Sequence, residues 1–132
     1  MVKDIEKILV ILNKLRKIAG RTRFQKIVFL LKNRDGIDFN YNFIPYYYGP
    51  YSHELQLEIN LLEAAGLVQV VPKDGTLYVH SLTVEGQQAA IEIERRMNMS
   101  ERENLRGALG YYRKRSTASL IREAKQLANT TL

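Results

Sequence analysis

Residues 67 to 80 read Leu67-Val68-Gln69-Val70-Val71-Pro72-Lys73-Asp74-Gly75-Thr76-Leu77-Tyr78-Val79-His80. Two runs rich in β-branched and aromatic residues flank a short segment that contains Asp-Gly. Asp-Gly favours the tight turns that join antiparallel strands, so this stretch predicts a β-hairpin. The segments on both sides of the hairpin have helical patterns.

Three helices are predicted before the hairpin. Apolar residues repeat at helical spacing from Asp4 to Ile18, and Gly20 ends that helix. Thr22 and Gln25 have the spacing of a capping box, which predicts a second helix with Arg23, Lys26 and Asn33 on its outer face. Ser52 is the expected N-cap of a third helix that runs to Ala65. Because the third helix is apolar around much of its circumference, we expect it to be central to the core.

Residues 35 to 51 interrupt the helical pattern. Apolar and polar residues alternate over residues 38 to 43, which predicts a short strand. A turn rich in aromatic residues follows, from Pro45 to Tyr51. Its tyrosines either cover the core or anchor a partner, and we expect most of the rings to cover the core while one or two are exposed.

Three helices are predicted after the hairpin. Thr83 is the expected N-cap of a fourth helix that runs to about Met97. Ser100 and Glu103 have capping-box spacing for a fifth helix, and a sixth follows Thr117. We divide the chain into a domain over residues 1 to 97 and a helical extension over residues 98 to 132, which packs on the same domain or on a dimer partner.

The order of these elements predicts an α+β, mainly helical fold. It is a winged helix-turn-helix-like domain with a β-hairpin wing and additional C-terminal helices. Residues 35 to 51 are much longer than the turn of a standard helix-turn-helix.

Three stretches resemble the YwgA family and, more distantly, the Panacea or SocA-like antitoxin domain. They are Arg23-Phe24-Gln25-Lys26-Ile27-Val28-Phe29-Leu30-Leu31-Lys32, Phe39-Asn40-Tyr41-Asn42-Phe43 and Tyr48-Gly49-Pro50-Tyr51-Ser52-His53-Glu54-Leu55. The similarity covers about residues 5 to 97, and Phe24 stands where the family pattern has Leu. The resemblance implies a winged-helix character and, from the Panacea-type relatives, neutralisation of toxins through protein contacts. It brings no catalytic residues.

The residue inventory does not indicate an enzyme. The chain has no cysteine, and His53 and His80 lack partners at the spacings of a metal site or a catalytic triad. Glu54 and Glu58 are four residues apart but have no further ligand in a recognisable pattern. We expect no cofactor and no metal. The start of the chain has no secretory pattern and no apolar run is long enough to span a bilayer, so we expect a cytoplasmic protein.

Charge is distributed in three blocks. Residues 1 to 34 carry ten Lys or Arg against two acids, residues 35 to 94 carry one Lys against nine acids, and residues 95 to 132 carry nine Lys or Arg against three acids. If the two basic ends meet on one side of the fold, they form a surface for phosphate or for an acidic protein. The candidate nucleic-acid-binding residues are Lys7, Lys14, Lys17, Arg21, Arg23, Lys26, Arg102, Arg106, Arg113, Lys114 and Arg115.

Two functions are compatible with these features. The first is a non-catalytic DNA-binding protein, with transcriptional regulation among its roles, which contacts duplex phosphates through the basic residues. The third helix has three Glu and no Lys or Arg, which disfavours its use as a conventional major-groove reader. The alternative is a protein-interaction module of antitoxin or adaptor type that uses the Tyr-Gly-Pro-Tyr-Ser turn. Candidate base or partner contacts are Tyr46, Tyr47, Tyr48, His53, Gln56, Asn60 and Lys73, and a homodimer is compatible with the amphipathic C-terminal helices.

Overall fold

A computed structural model describes residues 1 to 131 of the chain. The fold is α+β and mainly helical, as predicted, with six helices and three strands among the described residues. In chain order the elements are α1 (Asp4–Leu15), β1 (Lys17–Ala19), α2 (Arg21–Asn33), α3 (His53–Ala64), β2 (Val68–Lys73), β3 (Leu77–Leu82), α4 (Val84–Arg96), α5 (Met99–Arg113) and α6 (Thr117–Thr131).

The strands form one antiparallel sheet in the order β1-β3-β2. The predicted hairpin is present, and Val70 pairs with His80 across it. The first helix is shorter than predicted, because Arg16 takes a φ of 73° and its backbone N–H bonds back to Leu12. The three residues after it form β1, in which Ile18 pairs with His80. Ile18 therefore fits the apolar spacing of α1 but belongs to β1, which pairs with one edge of the hairpin.

The central helix is α2, not α3. Every side chain from Phe24 to Leu31 is buried, whereas α3 buries only Leu55, Ile59 and Leu62. The predictions that Lys26 lies on the outer face of α2 and that α3 is central to the core were both wrong. A helix that is enclosed in this way buries side chains around its whole circumference. It therefore lacks the one-sided apolar stripe from which an outer face is predicted.

The remaining helices enclose α2 and α1. α4 packs on α1, α5 contacts both α1 and α2, and α6 packs on α2. Buried residues of the two last helices, among them Leu105, Tyr112 and Leu120, belong to the same core cluster as α2. The residues after 97 therefore complete the core of this chain.

The predicted N-caps are correct at two of four positions. The hydroxyl oxygen of Ser52 accepts a hydrogen bond from the Leu55 N–H at 3.2 Å, and that of Thr83 accepts one from the Gly86 N–H at 3.0 Å. α2 instead begins after Gly20 without a side-chain cap. α5 is capped by Asn98, two residues before the predicted position.

The predicted strand over residues 38 to 43 is absent. The residues alternate between buried and exposed as a strand would, but the segment pairs with no neighbouring strand in the described chain. Side chains from other elements bond to its backbone groups instead.

The contact between α4 and the turn before the hairpin predicts a glycine requirement. A Cβ at Gly86 would lie 2.0 Å from the Leu67 carbonyl oxygen, whereas a Cβ at Gly107 on α5 would meet nothing within 4 Å. We expect Gly86→Ala to lower the free energy of unfolding by about 1–3 kcal/mol, because backbone must move to admit the methyl group. Gly107→Ala should raise it by about 0.5–1 kcal/mol, because alanine has the higher helix propensity. Urea denaturation of both variants measures the difference, and equal stabilities would contradict this packing.

Candidate functional site

Lysine side chains hold the carbonyls of the irregular segment over residues 35 to 51. The Lys7 ammonium donates a hydrogen bond of 2.6 Å to the Asp38 carbonyl, and that of Lys32 donates to the Tyr41 carbonyl. Lys7 is 4% exposed. These long side chains reach from α1 and α2 to backbone acceptors that have no sheet partner, which meets the hydrogen-bond requirement of a buried backbone.

Carboxylates hold the amides of the same segment. The Asn40 N–H donates to Asp4 Oδ2 at 2.8 Å, and the Asn42 N–H donates to Glu54 Oε1 at 2.5 Å. The carbonyl groups and the amide groups are thus bound by opposite charges. This arrangement allows Phe39, Tyr41 and Phe43 to be buried without a second strand.

The end of the segment is fixed by two buried polar residues of α2. The Gln25 side-chain amide donates to the Ser52 carbonyl at 2.9 Å and accepts from the Ser52 N–H at 2.8 Å. The Lys26 ammonium donates to the Pro50 carbonyl at 2.8 Å. Because Ser52 also caps α3, these bonds set where that helix begins.

Residues 44 to 51 form a closed turn. Ile44 and Tyr51 exchange two backbone hydrogen bonds of 2.9 Å, and Gly49 takes a φ of 100°, which favours glycine. The side chains of Tyr46, Tyr47 and Tyr48 are 54%, 84% and 61% exposed. The expectation that most of the tyrosine rings cover the core is therefore wrong, and three aromatic rings are presented to solvent.

The exposed rings continue onto α3. Tyr46 contacts Tyr47 and stacks on Tyr51, whose ring contacts His53 at a centroid distance of 5.0 Å. His53, Leu57 and Leu61 then follow at intervals of four residues, a spacing that keeps them on one helix face. Leu57 and Leu61 are 58% and 52% exposed. We call this continuous surface the aromatic–leucine strip; it consists of Tyr47, Tyr46, Tyr51, His53, Leu57 and Leu61.

The strip lies on an acidic helix. α3 contains Glu54, Glu58 and Glu63 and no Lys or Arg. Glu58 accepts a hydrogen bond of 2.5 Å from the Tyr41 hydroxyl, and burial together with this carboxylate raises the pKa of Tyr41 above its ordinary value. The predicted contact residues Gln56 and Asn60 bond to each other at 3.1 Å. Lys73 is exposed on the hairpin, at the end of β2.

Several predicted phosphate contacts are enclosed by the fold. Lys7 and Lys26 are buried and donate to backbone carbonyls, so neither is available to a surface ligand. Arg23 is half-buried and donates to the Tyr112 carbonyl at 3.0 Å and to Thr117 Oγ1 at 3.3 Å. These three assignments were wrong for one reason, which is that the sequence does not show which long side chains are used to satisfy internal backbone.

Other predicted contacts are paired with acids. Lys14 lies 2.6 Å from Glu94, and Arg115 lies 3.2 Å from Glu123. Glu123 also binds Arg34 at 2.8 Å, which together with further hydrogen bonds lowers the pKa of its carboxyl against the opposing effect of burial. The charges of Lys14 and Arg115 are therefore partly neutralised within the chain.

The two basic ends nevertheless meet. Arg113 Nη2 donates to the Lys14 carbonyl at 2.5 Å, which joins the end of α5 to the end of α1. Arg102 and Arg106 line a concavity of about 200 Å³ with Lys14. Arg21 is exposed and lies 4.2 Å from the centroid of the Tyr78 ring. We define the basic surface as Lys17, Arg102, Arg106, Arg113 and Lys114, none of which forms an ion pair among the described residues.

The two histidines differ in exposure. His80 is 1% exposed, its Nδ1 lies 3.3 Å from the Ile18 carbonyl, and burial lowers its pKa. His53 is exposed beside Tyr51. Within residues 1 to 131 no group of three or more His, Cys, Asp or Glu is placed to hold a metal ion, and no helix has the length and apolar character to cross a membrane.

Sequence reasoning missed the leucines of the strip. The third helix was expected to be central to the core because it is apolar around much of its circumference, and this expectation did not single out Leu57 and Leu61 as exposed. Their positions relative to Leu55, Ile59 and Leu62 contain the missing signal, since they lie on the opposite side of an ideal helix. The packing of α3 against α1 and β2 decides which of the two faces is buried.

Comparisons with protein-family models, with curated proteins and with solved structures gave no significant match. The resemblance to YwgA-like and Panacea-like proteins therefore stays a prediction.

The buried position of Lys26 predicts a pH-dependent stability difference. Burial, with a smaller effect from Lys125, lowers the pKa of Lys26 from 10.5 to about 8. Between these values the unfolded chain binds the proton and the folded chain does not, so rising pH favours the folded state. Relative to Lys26→Met, we expect the free energy of unfolding of the parent protein to rise by about 2 kcal/mol from pH 7 to about pH 10.

Chemical denaturation of both proteins across this pH range measures the difference. Comparison with Lys26→Met removes the contribution of tyrosines, which titrate in both proteins. A difference that stays constant with pH would contradict a buried ammonium at position 26.

Proposed function

We propose that this protein is a non-catalytic protein-interaction module of adaptor or antitoxin type that binds a partner through the aromatic–leucine strip. The observation that carries the proposal is the run of ring contacts from Tyr47 to His53, followed on the same face of α3 by the exposed side chains of Leu57 and Leu61. Contiguous exposed apolar surface is uncommon on a protein that acts alone and is typical of a protein interface. Tyrosines suit such a surface because they have an apolar ring and a polar end.

The winged-helix interpretation also favours the aromatic–leucine strip as the binding surface. The order α1, β1, α2, α3, β2, β3 with sheet order β1-β3-β2 agrees with a winged-helix domain. In DNA-binding members of such folds, a helix in the position of α3 enters the major groove. Here the outer face of that helix has Leu57 and Leu61 among glutamates, which favours a protein partner over a phosphate backbone.

The acidic side chains of α3 favour a partner segment that contains basic residues. Glu54 and Glu63 are exposed on the same helix and precede and follow the two leucines in sequence. A complementary segment would supply apolar anchors for Tyr47, Leu57 and Leu61 and would have Lys or Arg beside them. Such charge complementarity increases the association rate and excludes acidic competitors. We therefore assign the strip to a partner segment of mixed apolar and basic composition.

Peptide display on the folded protein tests this assignment, because the selection itself defines the sequence of the partner segment. It should enrich peptides that combine at least two large apolar residues with Lys or Arg. Leu57→Ser and Tyr47→Ala should each weaken the selected peptides at least about tenfold, because each removes a central apolar anchor. The matched control is Ile91→Ser, which removes a similarly exposed apolar residue from α4 and should change affinity less than about twofold.

Three outcomes would overturn the proposal. They are the enrichment of acidic peptides, equal loss of binding in Ile91→Ser and Leu57→Ser, and a concentration-dependent homodimer that Leu57→Ser abolishes. The last would mean that a second copy of the chain covers the strip. Circular dichroism of each variant verifies that the fold is retained.

A second candidate function is binding of duplex DNA through the basic surface. The observation in its favour is the junction between α1 and α5, where Arg113 bonds to the Lys14 carbonyl and a concavity is lined by Lys14, Arg102 and Arg106 together with Glu94 and Glu103. Such a surface would bind phosphates without reading sequence, because its side chains do not lie on a groove-reading helix. A regulatory role would then require specificity from another source.

Fluorescence anisotropy with a labelled duplex at about 50 mM and about 200 mM salt tests the second candidate. Affinity should fall with salt, and Arg106→Gln and Lys114→Gln should each reduce the slope of log affinity against log salt by about one. Arg122→Gln removes the same charge from α6 and serves as the control. Binding that is indifferent to salt, or equally weakened by the control, would reject this function.

A further inference from the structure

The tyrosine turn and α6 enclose a concavity of about 400 Å³ on the surface. Its lining residues are Pro45, Tyr46, Gly49, Pro50, Lys125, Ala128 and Asn129. None of these side chains is acidic. Lys125 and Asn129 are one turn apart on the same face of α6, so an ammonium group and a side-chain amide are presented together.

A second ammonium group lies behind the wall of this concavity. Lys26 is 2% exposed and donates to the Pro50 carbonyl at 2.8 Å. A Cβ at Gly49 would lie 3.3 Å from Lys26 Cε and 3.3 Å from Lys125 Cγ, so both lysines pass against this glycine. The absence of a side chain at position 49 is what lets the two chains approach.

The two lysines have no counter-charge. Within residues 1 to 131, neither forms an ion pair, and the carbonyl of Pro50 is the one acceptor bonded to the Lys26 ammonium, which has three donors. A buried cation normally has an anionic partner, and two neighbouring cations without one repel each other. By contrast, Lys7, which also reaches the irregular segment, is compensated by Glu101, and Arg115 beside α6 is compensated by Glu123.

We infer that this concavity is a binding site for one oxyanion group, a carboxylate or a phosphate. Lys125 and Asn129 would contact its oxygens, and Lys26 would attract it through the Gly49–Pro50 wall, where low polarizability strengthens the interaction. The site borders the strip at Tyr46, but its charged residues lie on α2 and α6 and none of them belongs to the strip. The protein would therefore bind an anionic small molecule, or an anionic group of a larger ligand, in addition to the partner segment that binds the strip.

Amide chemical shifts measured by NMR test the inference with inorganic phosphate and acetate as separate probes, each against chloride at equal ionic strength. At least one of the two should produce saturable shifts centred on Gly49, Lys125 and Asn129. The probe that binds more tightly distinguishes a phosphate site from a carboxylate site. Lys125→Gln should weaken this binding at least about tenfold, because it removes the ammonium that contacts the ligand.

The matched control is Lys73→Gln, which removes an identical charge from the hairpin, outside the concavity, and should leave the binding within about twofold. The inference is overturned if neither anion gives saturable shifts, if the shifts are spread over all basic regions, or if Lys125→Gln and Lys73→Gln have the same effect. Both lysines are exposed, so both variants should retain the fold.

Discussion

The enclosure of α2 is the constraint on which the rest of the structure depends. A helix buried from Phe24 to Leu31 must satisfy Gln25 and Lys26 inside the protein, because an unpaired polar group in a core costs about 1–3 kcal/mol. Both residues bond to the backbone at Pro50 and Ser52. The core therefore fixes the end of the tyrosine turn and the start of α3, and the exposed strip is positioned by bonds that are themselves buried.

The sequence predicted those elements whose causes are local. The hairpin follows from Asp-Gly between β-branched runs, and the caps at Ser52 and Thr83 follow from side chains that bond three residues ahead. β1 was missed because Ile18 has the spacing of the preceding helix, and nothing local shows that β3 will be available to pair with it. The predicted strand over residues 38 to 43 failed for the opposite reason. Its alternation is real, but its partners are side chains distant in sequence, such as Lys7 and Asp4.

The same distinction explains the candidate sites. Composition revealed two basic ends, and the contact between Arg113 and the Lys14 carbonyl brings them together. Composition did not reveal that Lys7, Arg23 and Lys26 donate hydrogen bonds to backbone carbonyls of the same chain. Residue type and neighbouring sequence do not distinguish a buried cation from an exposed one. The tyrosine turn was recognised as unusual, yet its exposure and its continuation into Leu57 and Leu61 required the placement of α3. The structure therefore removes Lys7, Arg23 and Lys26 from the candidate phosphate contacts. It adds Leu57 and Leu61 to the candidate protein-interaction surface.

Hydrogen exchange of the Ser52 amide tests the central claim most directly. This N–H donates to a side chain that is 1% exposed, so it should exchange as slowly as the amides of α2 itself. Gln25→Met keeps the volume but removes the acceptor, and it should make the Ser52 amide exchange at least about a hundredfold faster while α2 stays protected. Rapid exchange of Ser52 in the parent protein, or slow exchange that Gln25→Met leaves unchanged, would contradict the account.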